Sequence, residues 1–339
     1  MSNIRQTKAL LQIFALLFGI MAVSGFEYWR DSDVAVSAGK GSTVTITVKP
    51  EMTAKDIGEV LFQNGVIHSA TLFRMLAKVQ GVENSLQTGD YALSYQMSTS
   101  DIINKMVRGE TAYRLLTIPE GYTVEQIAKL LDEQGMGDGA KFKSLARKFA
   151  PYDYMAQPPE IIYQAEGYVF PDTYRITPGM TEEAILQMLV ANFDKKLTAD
   201  MRERAKMLKL SLHQVVTLAS LVEKEAKLDK ERPVIAGVFF NRLKQGMPLQ
   251  SCPTVQYILG YPKAELTIAD TQIVSPYNTY QNPGLPPGPI ASPGMAAIQA
   301  VLYPADTPYF YFVAAKDGSH RFSKTYEEHL VAVDAVDGE

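Results

Sequence analysis

An uncharged, largely apolar run from residue 9 to residue 26 constrains this chain more than any other feature of its sequence. These eighteen residues, as a helix rising about 1.5 Å per residue, cover about 27 Å, close to the roughly 30 Å hydrocarbon core of a bilayer. Two basic residues precede the run, and the aromatic pair Tyr28 and Trp29 follows it. The positive-inside rule then predicts a cytoplasmic tail over residues 1–8, a transmembrane anchor over residues 9–28, and export of the rest.

A cleaved signal peptide is the competing interpretation of the same run, with Ala22-Val-Ser24 resembling a cleavage site. The apolar part of a signal peptide usually has about 7–15 residues, so this run is long for one. We therefore favour a retained anchor. It predicts a single-pass protein of the cytoplasmic (inner) membrane, with its bulk on the periplasmic or extracytoplasmic side. Both interpretations export the chain.

Composition narrows the classes of function. The formal net charge is -4 and the basic residues are scattered, which argues against a nucleic-acid partner. Cys252 is the one cysteine, so an intramolecular disulfide is impossible, and the four histidines show no metal-ligand spacing. Neither a phosphate-binding glycine motif nor a serine nucleophile elbow occurs. We therefore expect no metal and no cofactor, and a chemistry that depends on carboxyl groups.

Two similar segments, residues 50–65 and residues 119–135, recur about seventy positions apart, reading PEMTAKDIGEVLFQNG and PEGYTVEQIAKLLDEQG. Thr53 in the first and Thr123 in the second are each followed three positions later by a side chain able to complete a helix cap. A glycine closes each segment, as expected at a helix C-terminus. Each segment therefore predicts a capped helix in a recurrent α/β unit.

The sequence pattern after the anchor indicates a linker followed by a small folded unit. Residues 29–42 are small and polar, which is typical of a linker. The alternating residues 43–48, TVTITV, predict a strand, and Gly89-Asp90 predicts a hairpin turn. Together with the first capped helix, these features predict a small α+β unit over residues 43–112.

The remaining residues, 113–339, mix long helices with short strands and form the larger mixed α/β part of the chain. The fold class is therefore α+β, preceded by an N-terminal transmembrane helix. Helices are predicted over residues 99–107, 182–193, 199–207, 212–227 and 233–245.

The helix predicted over residues 212–227 is apolar on nearly all sides, which is typical of a central helix. At about 100° per residue, Glu223 and Glu225 point to opposite sides, so only one can face a given cleft. A carboxyl group among apolar neighbours loses hydration and becomes a better proton donor, as glycosidic cleavage requires. The alternative, weighted equally, is that one of these glutamates marks a solvated helix end or pairs with Lys224 or Arg242.

Several segments, in order along the chain, resemble the MltG-type (YceG-like) endolytic murein transglycosylases, from the anchor to near the C-terminus. One such motif alone would carry little weight, whereas several independent motifs in the same order form a strong signal. The segments are TIPEGYT (117–123), EGYVFPDTY (166–174), ASLVEKE (219–225), NRL (241–243), LQSCPTV (249–255), YNTY (277–280), GLPPGPI (284–290) and SPG (292–294).

The resemblance implies a LysM-like unit over residues 43–112 and a catalytic transglycosylase domain over residues 113–339 in which Glu223 is essential. Such enzymes cleave the bond between N-acetylmuramic acid and N-acetylglucosamine without water. One glutamic acid protonates the leaving oxygen and then, as carboxylate, takes a proton from the muramyl C6 hydroxyl, which attacks C1 and leaves a 1,6-anhydro end. Because the nucleophile belongs to the substrate, a second protein carboxylate is not required. The implied substrate is the nascent peptidoglycan glycan strand, and peptidoglycan synthases are the expected partners.

Polar and aromatic side chains in the remaining motifs are predicted to bind the glycan. Asparagine and tyrosine suit acetamido groups, hydroxyl groups and sugar faces, and a rigid Pro/Gly loop can hold them at the rim of a cleft. A loop packed beside the core is about as compatible with most of these residues. The predicted substrate-binding residues are Glu166, Gln250, Thr254, Tyr277, Asn278 and Tyr280.

One position departs from the family pattern. Relatives usually have Asp where this chain has Cys252. Either that aspartate assists the reaction and activity is altered here, or it only caps a turn and its loss costs about 1 kcal/mol. The alternative function is a non-catalytic, membrane-anchored peptidoglycan-binding or scaffold protein, with Cys252 as a sign of decay.

Overall fold

The computed structural model describes residues 43–155, 160–263 and 265–338. The predicted tail, anchor and linker, residues 1–42, lie outside these ranges. Within the described residues no helix is both long and apolar enough to cross a membrane. The described residues form two compact units, which we call the first unit (43–114 with 177–179) and the second unit (the rest).

The first unit has a two-stranded antiparallel sheet and its own apolar core, which contains Ile57, Phe73 and Tyr91. Alternation along the first strand buries Ile46 and Val48 on one face, as its TVTITV pattern predicts. The elements in chain order are β1 (Thr43–Val48), α1 (Ala54–Gln63), α2 (Ala70–Val79), β2 (Gly89–Ser94) and α3 (Thr99–Val107).

The hairpin turn predicted at Gly89-Asp90 is wrong. These two residues begin β2 and pair with Val48 and Thr47 of β1 in an antiparallel register. Gly89 is needed for another reason: its φ is 139°, and a Cβ there would overlap the side chain of Thr111.

The second unit is mostly helical, and its strands form two short pairs, β3 with β4 and β5 with β6. Two 3-10 turns, Asp153–Met155 and Asp229–Glu231, interrupt the connections. The elements are β3 (Arg114–Thr117), α4 (Val124–Glu133), α5 (Gly139–Ala146), β4 (Thr173–Ile176), α6 (Glu182–Lys196), α7 (Ala199–Met207), α8 (Leu212–Glu225), α9 (Arg232–Lys244), α10 (Cys252–Leu259), α11 (Ile268–Thr271), α12 (Met295–Leu302), β5 (Tyr311–Ala314), β6 (His320–Ser323) and α13 (Tyr326–Asp337).

The two similar sequence segments adopt the same local structure. Thr53 caps α1 and Thr123 caps α4, each in a reciprocal capping box with the residue three positions later. Each helix is followed by a second helix and a strand that pairs with the preceding one, so both occurrences read β-α-α-β. Two residues before each cap the backbone is left-handed, with φ of 72° at Glu51 and 74° at Gly121.

Helix α8 lies in the core of the second unit, as its apolar pattern predicts. Val215, Val216 and Leu221 point in different directions around the helix, and each is at most 1% exposed. Helices α9 and α12 pack against it. It ends at Glu225, two residues earlier than predicted, because Ala226 is extended. The two glutamates therefore belong to its last turn, where the helix leaves the core.

Candidate functional site

Glu223, the predicted essential acid, is held by groups from two neighbouring elements. Its Oε1 accepts a hydrogen bond from Nη2 of Arg232 at 3.0 Å, and its Oε2 accepts one from the backbone N–H of Gly294 at 3.0 Å. Arg232 begins α9, and Gly294 directly precedes α12. Because both helices pack on α8, the core of the second unit fixes the carboxyl group in place. Only 6% of the Glu223 side chain is exposed.

Arg232 is the cation of the site, and its side chain is 8% exposed. Besides Glu223, its guanidinium contacts the carboxylate of Asp229, and its Nε is buried with no hydrogen-bond partner among the described residues. Burial lowers the pKa of Arg232, but the charges of Glu223 and Asp229 outweigh this and raise it. Arg232 is therefore a permanent positive charge beside Glu223.

The surroundings of Glu223 differ from the predicted apolar environment. The helix is apolar, but in its last turn the carboxyl group meets a guanidinium and an amide. The suggested partners make other hydrogen bonds: Lys224 donates to the carbonyl of Gly121 at 3.3 Å, and Arg242 donates to the carbonyl of Phe310 at 2.6 Å.

A second carboxyl group, which the sequence did not indicate, lies beside the first. Glu120 stands in the turn between β3 and α4, and its carboxyl group is so close to Gly294 that a Cβ there would overlap it. Although Glu120 is exposed overall, burial of its carboxyl end raises its pKa, and the negative charge of Glu223 raises it further. The motif TIPEGYT marked this turn, but nothing in the sequence placed it against α8.

Backbone hydrogen bonds fix that turn against the loop before α12. The N–H of Gly121 donates to the carbonyl of Ser292, and the N–H of Ser292 donates to the carbonyl of Tyr122, both at 2.8 Å. A Cβ at Gly121 would lie 3.7 Å from Cγ of Glu223, so the turn backbone directly covers the acid. The positive φ at this position favours glycine.

A cavity of about 450 Å³ lies next to this cluster, within the range typical of ligand sites. Arg232 lines the cavity and Glu223 does not, so a molecule in the cavity would meet the ion pair through Arg232. The cavity offers a half-exposed aromatic ring at Tyr303 and an amide at Gln299. Its lining is completed by Asp229, Pro233, Ala296 and Ala300.

Four of the six predicted substrate-binding side chains are at most 1% exposed: Glu166, Thr254, Tyr277 and Asn278. Thr254 donates to the carbonyl of Ser251 at 2.7 Å, and Asn278 donates to the carbonyl of Ile273 at 2.8 Å. Side chains this deeply buried cannot touch a glycan in this conformation, so the prediction of direct contact does not agree with their positions. They hold the loops in place.

Glu166 has the environment that the sequence predicted for Glu223. Its carboxyl group accepts hydrogen bonds from the N–H of Val124 and the hydroxyl of Tyr257, both at 3.1 Å, where α4 begins. Complete burial raises the pKa of Glu166 to about 8, although these hydrogen bonds oppose the shift.

The two remaining predicted residues are accessible: Gln250 is exposed and Tyr280 is half-buried. The Tyr280 hydroxyl lies 3.0 Å from Sγ of Cys252, which is exposed at the start of α10. The preceding residue, Ser251, donates to Glu225 at 2.6 Å. The loop with Gln250, Cys252 and Tyr280 is thus tied to Glu225, and no hydrogen bond within the described residues ties it to Glu223. Burial raises the pKa of Glu225.

Within the described residues no group of three or more His, Cys, Asp or Glu side chains could hold a metal ion. At this site Glu223 can donate or accept a proton, and Arg232 and the N–H of Gly294 can stabilise its negative charge. That arrangement suits proton transfer to and from a bound substrate.

The chain is similar to known proteins over most of its length. The family model described as the YceG-like family matches residues 46–335. The chain is 34% identical over 319 residues to the endolytic murein transglycosylase of Bacillus subtilis (strain 168), covering 90% of this chain and 88% of that protein. It is 32% identical over 351 residues to the endolytic murein transglycosylase of Streptococcus pneumoniae (strain D39), covering 94% of this chain but 62% of that protein.

A solved structure is also similar. The crystal structure of a yceG-like protein from Listeria monocytogenes superposes with a TM-score of 0.59 at 35% sequence identity. The match covers 86% of this chain and 99% of that one.

Proposed function

Because this chain belongs to the YceG-like family, we propose that it is an endolytic murein transglycosylase, a lyase that cuts peptidoglycan glycan strands. Curated relatives that match most of this chain carry that name. The observation that carries the proposal is the position of Glu223: a carboxyl group at the end of a core helix, held by Arg232 and the N–H of Gly294.

The reaction needs one proton to move twice. Glu223, when protonated, gives its proton to the glycosidic oxygen of N-acetylglucosamine as the bond to C1 of N-acetylmuramic acid breaks. The resulting carboxylate takes the proton of the muramyl C6 hydroxyl while that oxygen bonds to C1, which gives the 1,6-anhydro end. Arg232 and the Gly294 amide stabilise the carboxylate between the two transfers, in a geometry that needs no rearrangement.

We place saccharide units in the cavity beside Arg232. The ring of Tyr303 suits a sugar face, and the amide of Gln299 suits hydroxyl or acetamido groups. Of the residues predicted from the sequence, Gln250 and Tyr280 stay proposed glycan contacts because both are accessible.

The location is part of the same proposal. The apolar run of residues 9–26 supports a single-pass anchor over residues 9–28 in the cytoplasmic membrane, with the catalytic domain, residues 113–339, on the outer side. There it would meet nascent glycan strands and work close to peptidoglycan synthases.

We assign glycan binding to the LysM-like unit, residues 43–112, on its β-α-α-β order and its surface cavity of about 360 Å³. The cavity has charged and polar side chains suited to hydroxyl and acetamido groups. These include Lys55, Arg74, Glu83 and Asn84.

The test is to digest purified glycan strands with the chain and measure the product masses. Internal cleavage with anhydro ends is expected. Glu223→Gln should reduce product formation by at least about a thousandfold, since the acid-base group is lost. The matched control is Glu133→Gln, a glutamate at the exposed far end of α4. Products one water heavier would point to a hydrolase, and strand binding without cleavage would favour a scaffold.

A further inference from the structure

We propose that Glu120 is a positioning residue of the reaction, which with Glu223 forms a coupled carboxyl pair that holds one shared proton. The inference rests on the proposed function, in which Glu223 must begin the reaction protonated. The role of Glu120 is to keep that proton at the site at neutral pH.

The first argument is placement. Gly294 lies between the two groups: its N–H donates to Oε2 of Glu223, and its Cα faces the carboxyl group of Glu120. The turn that carries Glu120 is fixed by the two backbone hydrogen bonds between Gly121, Tyr122 and Ser292. The side chain therefore stands beside Glu223 because of the backbone and not because of a flexible surface contact.

The second argument is the charge balance around the pair. The facing groups are Lys224 from α8, Asp229 from the 3-10 turn and Arg232 from α9; residues 292–294 add no ionisable side chain. Asp229 is 87% exposed and Lys224 is exposed, so water screens both charges. Among the described residues that face the pair, Arg232 is the one buried cation. Two ionised carboxylates against one guanidinium leave a net negative charge, which binding of a single proton removes.

The third argument concerns how the proton reaches Glu223. Both Glu223 oxygens accept hydrogen bonds from protein donors, and its side chain is nearly closed to water. Glu120 is exposed and exchanges protons with solvent directly. Burial and the nearby negative charge raise the pKa of Glu120, so it binds a proton more readily than a surface glutamate. The shared proton is used on the leaving oxygen and regained from the C6 hydroxyl, so the pair ends with the proton it began with.

The pH dependence of cleavage by the full-length chain tests this. The rate should fall on the alkaline side as the pair loses its proton. Glu120→Gln removes the neighbouring charge but keeps Glu223, so this alkaline limb should move down by about one pH unit and the rate at neutral pH should fall by about tenfold. Glu120→Asp, which keeps a carboxyl group, should restore most of the profile. Glu133→Gln, the matched control, should leave it unchanged.

Carboxyl ¹³C NMR of glutamate-labelled protein gives a readout that does not depend on activity. Glu223→Gln should lower the titration midpoint of Glu120, because the negative charge that raises it is removed. Titrations that are the same in wild type and variants, or a Glu120→Gln rate reduced equally at every pH, would overturn the pair. Coupled titrations in a chain that cuts no glycan would support the pair and contradict the proposed function instead.

Discussion

At the residue scale, the ion pair between Glu223 and Arg232 is nearly closed to solvent. Its two charges therefore affect the stability of the fold more than charges at the surface do. Removing one partner of a buried pair leaves the other uncompensated, whereas exposed pairs contribute little. Arg232 therefore contributes to the stability of the fold as well as to the chemistry of the site.

Arg232→Met should lower the free energy of unfolding by about 3 kcal/mol, because it leaves the Glu223 carboxylate buried without its cation. Lys129→Gln is the comparison, since Lys129 and Glu133 form an exposed pair at 3.6 Å. That change should cost less than about 0.5 kcal/mol. Urea denaturation measures both, and equal losses would contradict the difference in burial.

Glu166 makes a pH-dependent contribution to stability. Its pKa is about 8 in the folded chain and about 4.3 when unfolded, so between these values the folded form binds a proton that the unfolded form has lost. Stability from this group is therefore present at low pH and falls as pH rises toward 8. Glu166→Gln keeps an acceptor but cannot ionise. Relative to wild type, its free energy of unfolding should increase between pH 5 and pH 8, by at most about 1.4 kcal/mol per pH unit. A parallel pH dependence in urea denaturation would contradict this.

At the element scale, local signals predicted most helices well. Residues 99–107 and 199–207 form helices with the predicted bounds, because Ser98 and Thr198 cap them and those signals are short-range. The prediction at Gly89-Asp90 was wrong for the same reason. The pair is typical of a turn, and only its pairing with a distant strand shows that it belongs to β2.

The site was less predictable because its contacts are long-range. Glu223 could be singled out from its motif and its helix. Its partner Arg232 and its neighbour Glu120 could not, since packing of α9 and of the β3–α4 turn against α8 brings them there. The burial of Glu166, Thr254, Tyr277 and Asn278 was equally hard to predict, because the sequence does not reveal which of these side chains the packing encloses.

The two capping boxes allow a matched comparison of elements. Thr53→Ala and Thr123→Ala each remove a side-chain acceptor at a helix start and should each cost about 1 kcal/mol. Only Thr123 adjoins the turn that carries Glu120. Glycan cleavage should therefore fall severalfold in Thr123→Ala and stay near wild type in Thr53→Ala. Equal activities in the product assay would show that the turn does not depend on its cap.

At the scale of the whole molecule, the two units have separate apolar cores. Compact units with their own cores can unfold separately. Calorimetry should therefore show two transitions, with Thr53→Ala lowering one midpoint and Thr123→Ala lowering the other. A single transition that both variants shift would mean that the units unfold together.

The left-handed turn before each cap carries a last consequence. Glu51 and Gly121 share one backbone shape, yet one bears a long side chain and the other none. In the first unit Glu51 lines the surface cavity, whereas in the second a Cβ at Gly121 would contact Cγ of Glu223 at 3.7 Å. One backbone shape thus carries a charged side chain beside a surface cavity in the first unit and brings bare backbone against the acid in the second.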